Sequence, residues 1–127
     1  MLPKIQASSV EVKESPLHGR GLYATAPFRK GAVIGVYPLL ILSHADSKRL
    51  RKTRLHHYVF YVDEDETGAP RTAVAFGMIS MCNHSSTPNA AFTVDAGKAV
   101  VKLKAARSIR AGDEILIDYE DFADEAL

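Results

Sequence analysis

Short runs of β-branched and apolar residues recur along the chain at Val10 to Val12, Ala32 to Tyr37, His57 to Val62, Ala91 to Val94, Ala99 to Leu103 and Glu114 to Ile117. Each has strand length. Between them stand turn signals: Gly19 and Gly21, Lys30-Gly31, Thr67-Gly68-Ala69-Pro70, Ala96-Gly97 and Ala111-Gly112. Such residues reverse the backbone readily, so the pattern predicts a mostly β architecture of short strands. One stretch reads as helical. Ser43 can cap a helix beginning at His44, with Asp46 three residues later completing a capping-box pattern. Repeats, low-complexity tracts, linkers and a glycine-rich strand-to-helix turn of the Rossmann type are all missing.

At 127 residues the chain fits one compact domain. An apolar fraction of 46% against 24% charged residues is that of a folding globular protein rather than a disordered one. No apolar run approaches the roughly 20 residues of a spanning helix, and the N-terminal Met1-Leu2-Pro3-Lys4 does not open a secretory signal. The expectation is a soluble intracellular protein without membrane contact. Cys82 is the only cysteine, which excludes an internal disulfide and a cysteine-built zinc site. No metal site is expected, since one would need His and carboxylate ligands.

The net charge of +1 gives no overall pull toward nucleic acid, and no direct nucleic-acid binding is expected. The charges are unevenly spread, however. Lys48, Arg49, Arg51, Lys52 and Arg54 form a basic run on the expected helix, whereas every charged residue from Ala111 to Leu127 is acidic. The acidic end could attract a basic substrate; equally, both runs could be solvated faces.

Three segments carry candidate chemistry. In Leu17-His18-Gly19-Arg20-Gly21-Leu22-Tyr23-Ala24, two glycines flank one residue, which allows the backbone to approach a ligand closely or simply to turn between strands. Ser80 to Ala90 is a polar cluster containing Asn83 and His84, whose amide and ring nitrogens can bind a ligand or tie loops together. Cys82 beside His84 permits a cysteine nucleophile, but a free Cys among apolar residues is more often a small core residue. In Ala111 to Tyr119, a Gly112-Asp113 turn launches a short apolar strand that ends in a phenol.

In this order, the three segments resemble the SET-domain family of protein lysine methyltransferases. Gly19-Arg20-Gly21-Leu22-Tyr23-Ala24 followed by Phe28-Arg29-Lys30-Gly31 looks like the family's opening motif. Asn83-His84-Ser85 with Pro88-Asn89 looks like the central one, and Ile109 to Tyr119 looks like the closing one. The resemblance spans about residues 8–122 and implies a single SET domain over residues 1–127. The implied fold is mainly β and β-clip-like: several small sheets of short strands, one short helix, and a pseudoknot-like threading that brings Asn83 and His84 against Tyr119.

The resemblance also implies roles. Gly19, Arg20, Gly21, Leu22 and Tyr23 would hold the methionine portion of S-adenosylmethionine through their backbone, with Asn83 and His84 holding its amino and adenine portions. Tyr119 matches the catalytic tyrosine. Tyr58 resembles a second tyrosine lining a lysine channel, a place that Tyr61 could take instead. Phe60, Tyr61, Ile117 and Phe122 would contact the lysine substrate. Cysteine-rich zinc modules are missing, and only a short tail follows Tyr119, so Phe122 or a second subunit would close the channel. Ser86 and Met81-Cys82 depart from the residues usual in the family, changes read as tolerable in a core. Ile117 stands where relatives often carry a Tyr or Phe that limits methylation, so di- or trimethylation is the expectation. The implied partner is a lysine-containing, basic protein such as a histone; a SET module that binds lysine-rich segments without modifying them is the alternative.

Overall fold

The computed structural model describes residues 8–17 and 19–118. Its strands are β1 (Val10–Glu14), β2 (Arg20–Ala24), β3 (Val33–Ile41), β4 (Val59–Glu64), β5 (Pro70–Ala75), β6 (Asn83–His84), β7 (Ala90–Asp95), β8 (Val100–Ala105) and β9 (Glu114–Ile117). One α-helix, α1 (His44–Arg51), runs into a 3₁₀ turn at Arg54–Tyr58, and a second 3₁₀ turn spans Met78–Met81. The strands form two sheets, one ordered β1-β2-β9-β6 and the other β4-β5-β3-β8-β7.

The expected strands all appear, with shifted ends. His57 and Tyr58 belong to the 3₁₀ turn, so the strand expected from His57 begins at Val59. The segment around Gly21, read as a turn or ligand loop, is mostly strand β2. The helix begins at His44 as its cap predicts: Ser43 Oγ accepts from the Asp46 amide at 3.1 Å. The Asp46 carboxylate, though, accepts from Arg49 Nη1 at 3.0 Å, one helical turn ahead. Among the described residues no helix is long and apolar enough to cross a membrane.

Between the sheets lies one apolar core, in which Leu22, Ile79, Val101, Leu103, Ile109, Ile115 and Ile117 are essentially solvent-free. Alternation along β9 sends Ile115 and Ile117 into this core and leaves Glu114 and Leu116 half-buried on the other face. β9 is the strand that assembles the site. It pairs antiparallel with β2 (Leu22 opposite Ile115, Tyr23 opposite Glu114) and parallel with β6 (Asn83 opposite Leu116, His84 opposite Ile117). The buried Asn89 fastens it further: Asn89 Nδ2 donates to the Glu114 carbonyl and the Leu116 amide donates to Asn89 Oδ1, both at 2.8 Å.

α1 packs on β5 through a polar contact. The buried Ser47 Oγ accepts from the Thr72 amide (3.0 Å) and from Thr72 Oγ1 (2.9 Å) and donates to the Ser43 carbonyl (2.8 Å). Gly77 has φ of +143° and leads into the second 3₁₀ turn; the Tyr37 ring fills the space that a Cβ at Gly77 or Gly35 would occupy.

Candidate active site

Two cavities adjoin on the surface between β2, β6 and the two 3₁₀ turns. The wider, of about 370 Å³, is lined by Arg20, His57, Tyr58, Ser80, Met81, Cys82 and Asn83. That size lies within the roughly 300–1,000 Å³ of small-molecule sites. The narrower, about 10 Å³, shares His57, Tyr58, Ser80 and Cys82 as a common wall and continues along Phe60, Ile79 and Ile117. Tyr58 is exposed at the rim of both, whereas Phe60, Ile79, Cys82 and Ile117 are buried.

At the floor of the wide cavity the Asn83 amide is tightly held. Its Nδ2 donates to the Arg20 carbonyl and to Glu114 Oε2, both at 2.8 Å, with a longer contact to Ser15 Oγ at 3.3 Å. Glu114 collects two further donors, Ser15 Oγ at 2.9 Å and the Tyr23 hydroxyl at 3.2 Å. With Nδ2 committed to these acceptors, the amide cannot flip, and Oδ1 is the end left to meet a ligand donor. Gly21 belongs to the same arrangement. A Cβ there would collide with the Glu114 carboxylate and press on the Asn83 amide, so only glycine lets β2 pass this close.

Leu22 and Tyr23 do not line the cavity. Leu22 is a core residue, Tyr23 is buried with its hydroxyl on Glu114, and both sit between partner strands β1 and β9. What remains at the cavity from the opening motif is Arg20, with Gly19 leading into it at φ +56° and Gly21 behind it. His84 lies one residue past Asn83 in β6, with Nδ1 3.7 Å from Asp118 Oδ1. Tyr61 lines neither cavity. Tyr119 and Phe122 lie outside the described residues.

Cys82, read as a core residue, is buried and also forms wall. Burial, with the Glu114 charge adding to it, pushes its thiol up to about 12. It therefore stays protonated near neutrality, which removes the cysteine-nucleophile reading. Tyr37 is raised as well, by burial first and by Cys82 second.

Sequence reasoning did not single out Ser15, His57, Ser80 or Glu114. Glu114 is separated from Ser15 by 99 positions and from Tyr23 by 91, so no local pattern announces their meeting. The one local signal is an acid at the first position of an otherwise apolar strand.

The SET domain family model matches residues 19–120. The chain belongs to the SET domain family. It is 28% identical over 123 residues to a histone-lysine N-methyltransferase, H3 lysine-37 specific, of Schizosaccharomyces pombe, covering 94% of this chain and 80% of that relative. To the N-lysine methyltransferase KMT5A-A of Danio rerio it is 30% identical over 112 residues, which is 81% of this chain but 33% of that one. The SET fold itself is seen in a structure of the Chaetomium thermophilum Polycomb Repressive Complex 2, in an autoinhibited conformation bound to S-adenosylmethionine. That chain superposes with a TM-score of 0.71 at 19% identity, over 93% of this chain and 16% of its own length. These relatives support lysine methyltransferase activity for the SET chain, and SET methyltransferases use S-adenosylmethionine.

Proposed function

We propose that this chain, as one SET domain over residues 1–127, transfers methyl groups from S-adenosylmethionine to the side-chain amine of a lysine in a basic intracellular protein, a histone or histone-like protein. The observation that carries this reading is the pair of neighbouring cavities: a wide one with the Asn83 amide locked at its floor, and a small apolar one that shares its His57, Tyr58, Ser80 and Cys82 wall.

The residues present fit the cofactor. Asn83 Oδ1 offers an oriented acceptor for an amine, Arg20 and the glycines beside it bring backbone to the cavity, and His84 follows in β6. Bound S-adenosylmethionine supplies an electrophilic methyl group on a sulfonium. The chain's own residues then have two tasks, aligning the lysine nitrogen and keeping it uncharged. A free lysine has pKa near 10.4, so neutralising it at pH 8 costs about 3 kcal/mol. The apolar walls Phe60, Ile79 and Ile117, with the uncharged Cys82 thiol, disfavour the ammonium form and lower that cost. Tyr58 at the rim and the apolar walls behind it would flank an approaching amine, which replaces a random encounter by an ordered one. Tyr58 lines the mouth of the small cavity, and Tyr119, two residues beyond Ile117, is assigned the hydroxyl that orients the amine, with Phe122 as a further lysine contact; Tyr61, which lines neither cavity, is given no place there.

The test is mass spectrometry of histones and lysate proteins incubated with the chain and isotopically labelled S-adenosylmethionine. Label on lysine is expected, falling roughly 100-fold or more in Tyr119→Phe. Ile117 brings no hydroxyl to hydrogen-bond and hold the amine, so di- and trimethylated products are expected at long times. An absence of label, with no cofactor bound in calorimetry, would leave a scaffold that binds without catalysis.

A further inference from the structure

The net charge of +1 conceals a separation that the fold makes spatial. Lys48, Arg49, Arg51, Lys52 and Arg54 are all exposed, on the C-terminal half of α1 and the start of the following 3₁₀ turn. Docking of Ser47 onto Thr72 fixes the side of the helix that faces the protein and leaves these cations outside. Arg49 pairs with Asp46 at 3.0 Å; the other four make no ion pair among the described residues.

The helix dipole accounts for part of this charge, since cations suit a helix C-terminus. It suits Lys52, the C-cap, as well, but does not remove the unfavourable like-charge spacing of four between Lys52 and Lys48. Nor does it account for Arg54, which opens a new turn where a cation is disfavoured. Among the described residues the fold thus holds four exposed cations on adjoining turns, Lys48, Arg51, Lys52 and Arg54, without an ion pair. The cluster leads directly to the site: the 3₁₀ turn that begins at Arg54 ends at Tyr58, about 8 Å along its axis, at the mouth of both cavities.

We propose that this face binds the phosphate backbone of duplex DNA, so that a lysine entering beside Tyr58 belongs to a protein already seated on DNA. Between Lys48 and Arg54 the only apolar side chain is Leu50, which is half-buried. Leu55, directly after Arg54, is exposed; a surface whose body is Lys and Arg, with its exposed apolar side chains beyond the charged run, is unlike the apolar centre of a protein–protein interface and like a phosphate-contacting one. The consequence for substrate choice rests on the methyltransferase reading; the binding surface does not.

The experiment is fluorescence anisotropy with a labelled 30-base-pair duplex, on the full chain without cofactor, for wild type and for the variant Lys48→Ser, Arg51→Ser, Lys52→Ser and Arg54→Ser combined. Four phosphate contacts predict about a 100-fold loss of affinity between 50 and 200 mM salt. The variant, with an unchanged thermal melt, is expected to bind at least tenfold more weakly and with a nearly flat salt dependence. No binding at 50 mM salt, equal binding by the variant, or binding of polyglutamate in place of the duplex overturns the proposal. In a second arm, a basic protein bound to DNA is expected to accept label faster than the same protein free, for wild type only. Duplex binding without any methyl transfer would refute the methyltransferase reading and leave this surface standing; methyl transfer indifferent to DNA, with no duplex bound, would do the reverse.

Discussion

Glu114 joins the opening, central and closing motifs through one carboxylate, accepting from Ser15, Tyr23 and Asn83. Its replacement by Gln keeps the shape but brings an NH₂ group among three donors, so at least one donor loses its acceptor. Hydrogen bonds to charged groups contribute about 1.5–3 kcal/mol, and 1.4 kcal/mol is a factor of ten in affinity. Glu114→Gln should therefore bind S-adenosylmethionine about tenfold or more weakly in calorimetry, raising KM for the cofactor more than it lowers kcat at saturation. Unchanged affinity would mean that the Arg20 carbonyl alone orients Asn83. Arg20 with its glycines, and Asn83, stood out in the sequence because each lies in a short contiguous motif of its own. Glu114 and Ser15 acquire their role only when residues about a hundred positions apart meet, and the one linear sign of it is the acid that opens an apolar strand. Gly21 was legible as a place of close approach, but the group approaching includes Glu114 and Asn83, which a Cβ would strike.

The elements legible in advance were those with strong local signals. Ser43 announced α1, and short runs of β-branched and apolar residues between turn signals announced β7, β8 and β9. β2 was hidden by its own glycines, β5 by Pro70 and its small alanines, and β6 is a two-residue strand held in place by β9. Tertiary pairing, not local preference, makes these three strands. The clamp on β9 is the clearest case. Asn89→Ala would leave the Glu114 carbonyl and the Leu116 amide without their side-chain partner in a buried setting, at about 1–3 kcal/mol for each group. A loss of about 2–4 kcal/mol in urea unfolding is expected, with faster hydrogen exchange at the Leu116 amide. Exchange that stays slow would show that β2 and β6 hold β9 without the clamp.

The cavity walls are drawn from β2, β6 and both 3₁₀ turns, and Asn83 at their floor is held by groups from the beginning and the end of the described chain. No fragment of the fold contains the site, so cofactor affinity exists only in the folded molecule. Binding then adds its full free energy to stability, about 2.7 kcal/mol at a hundredfold excess over Kd. For a domain of this size that corresponds to a rise of several degrees in Tm, which a thermal scan with and without S-adenosylmethionine will read. An unmoved Tm at millimolar cofactor would contradict the site as described. The central position of β9 also has a bearing on biosynthesis. The ribosome finishes Tyr23 91 residues before Glu114, an interval of about 5–18 seconds at ordinary elongation rates. Throughout that interval β2 offers one unsatisfied edge to any passing strand, so the nascent chain is most exposed to mispairing and to chaperone capture just before its last described strand emerges.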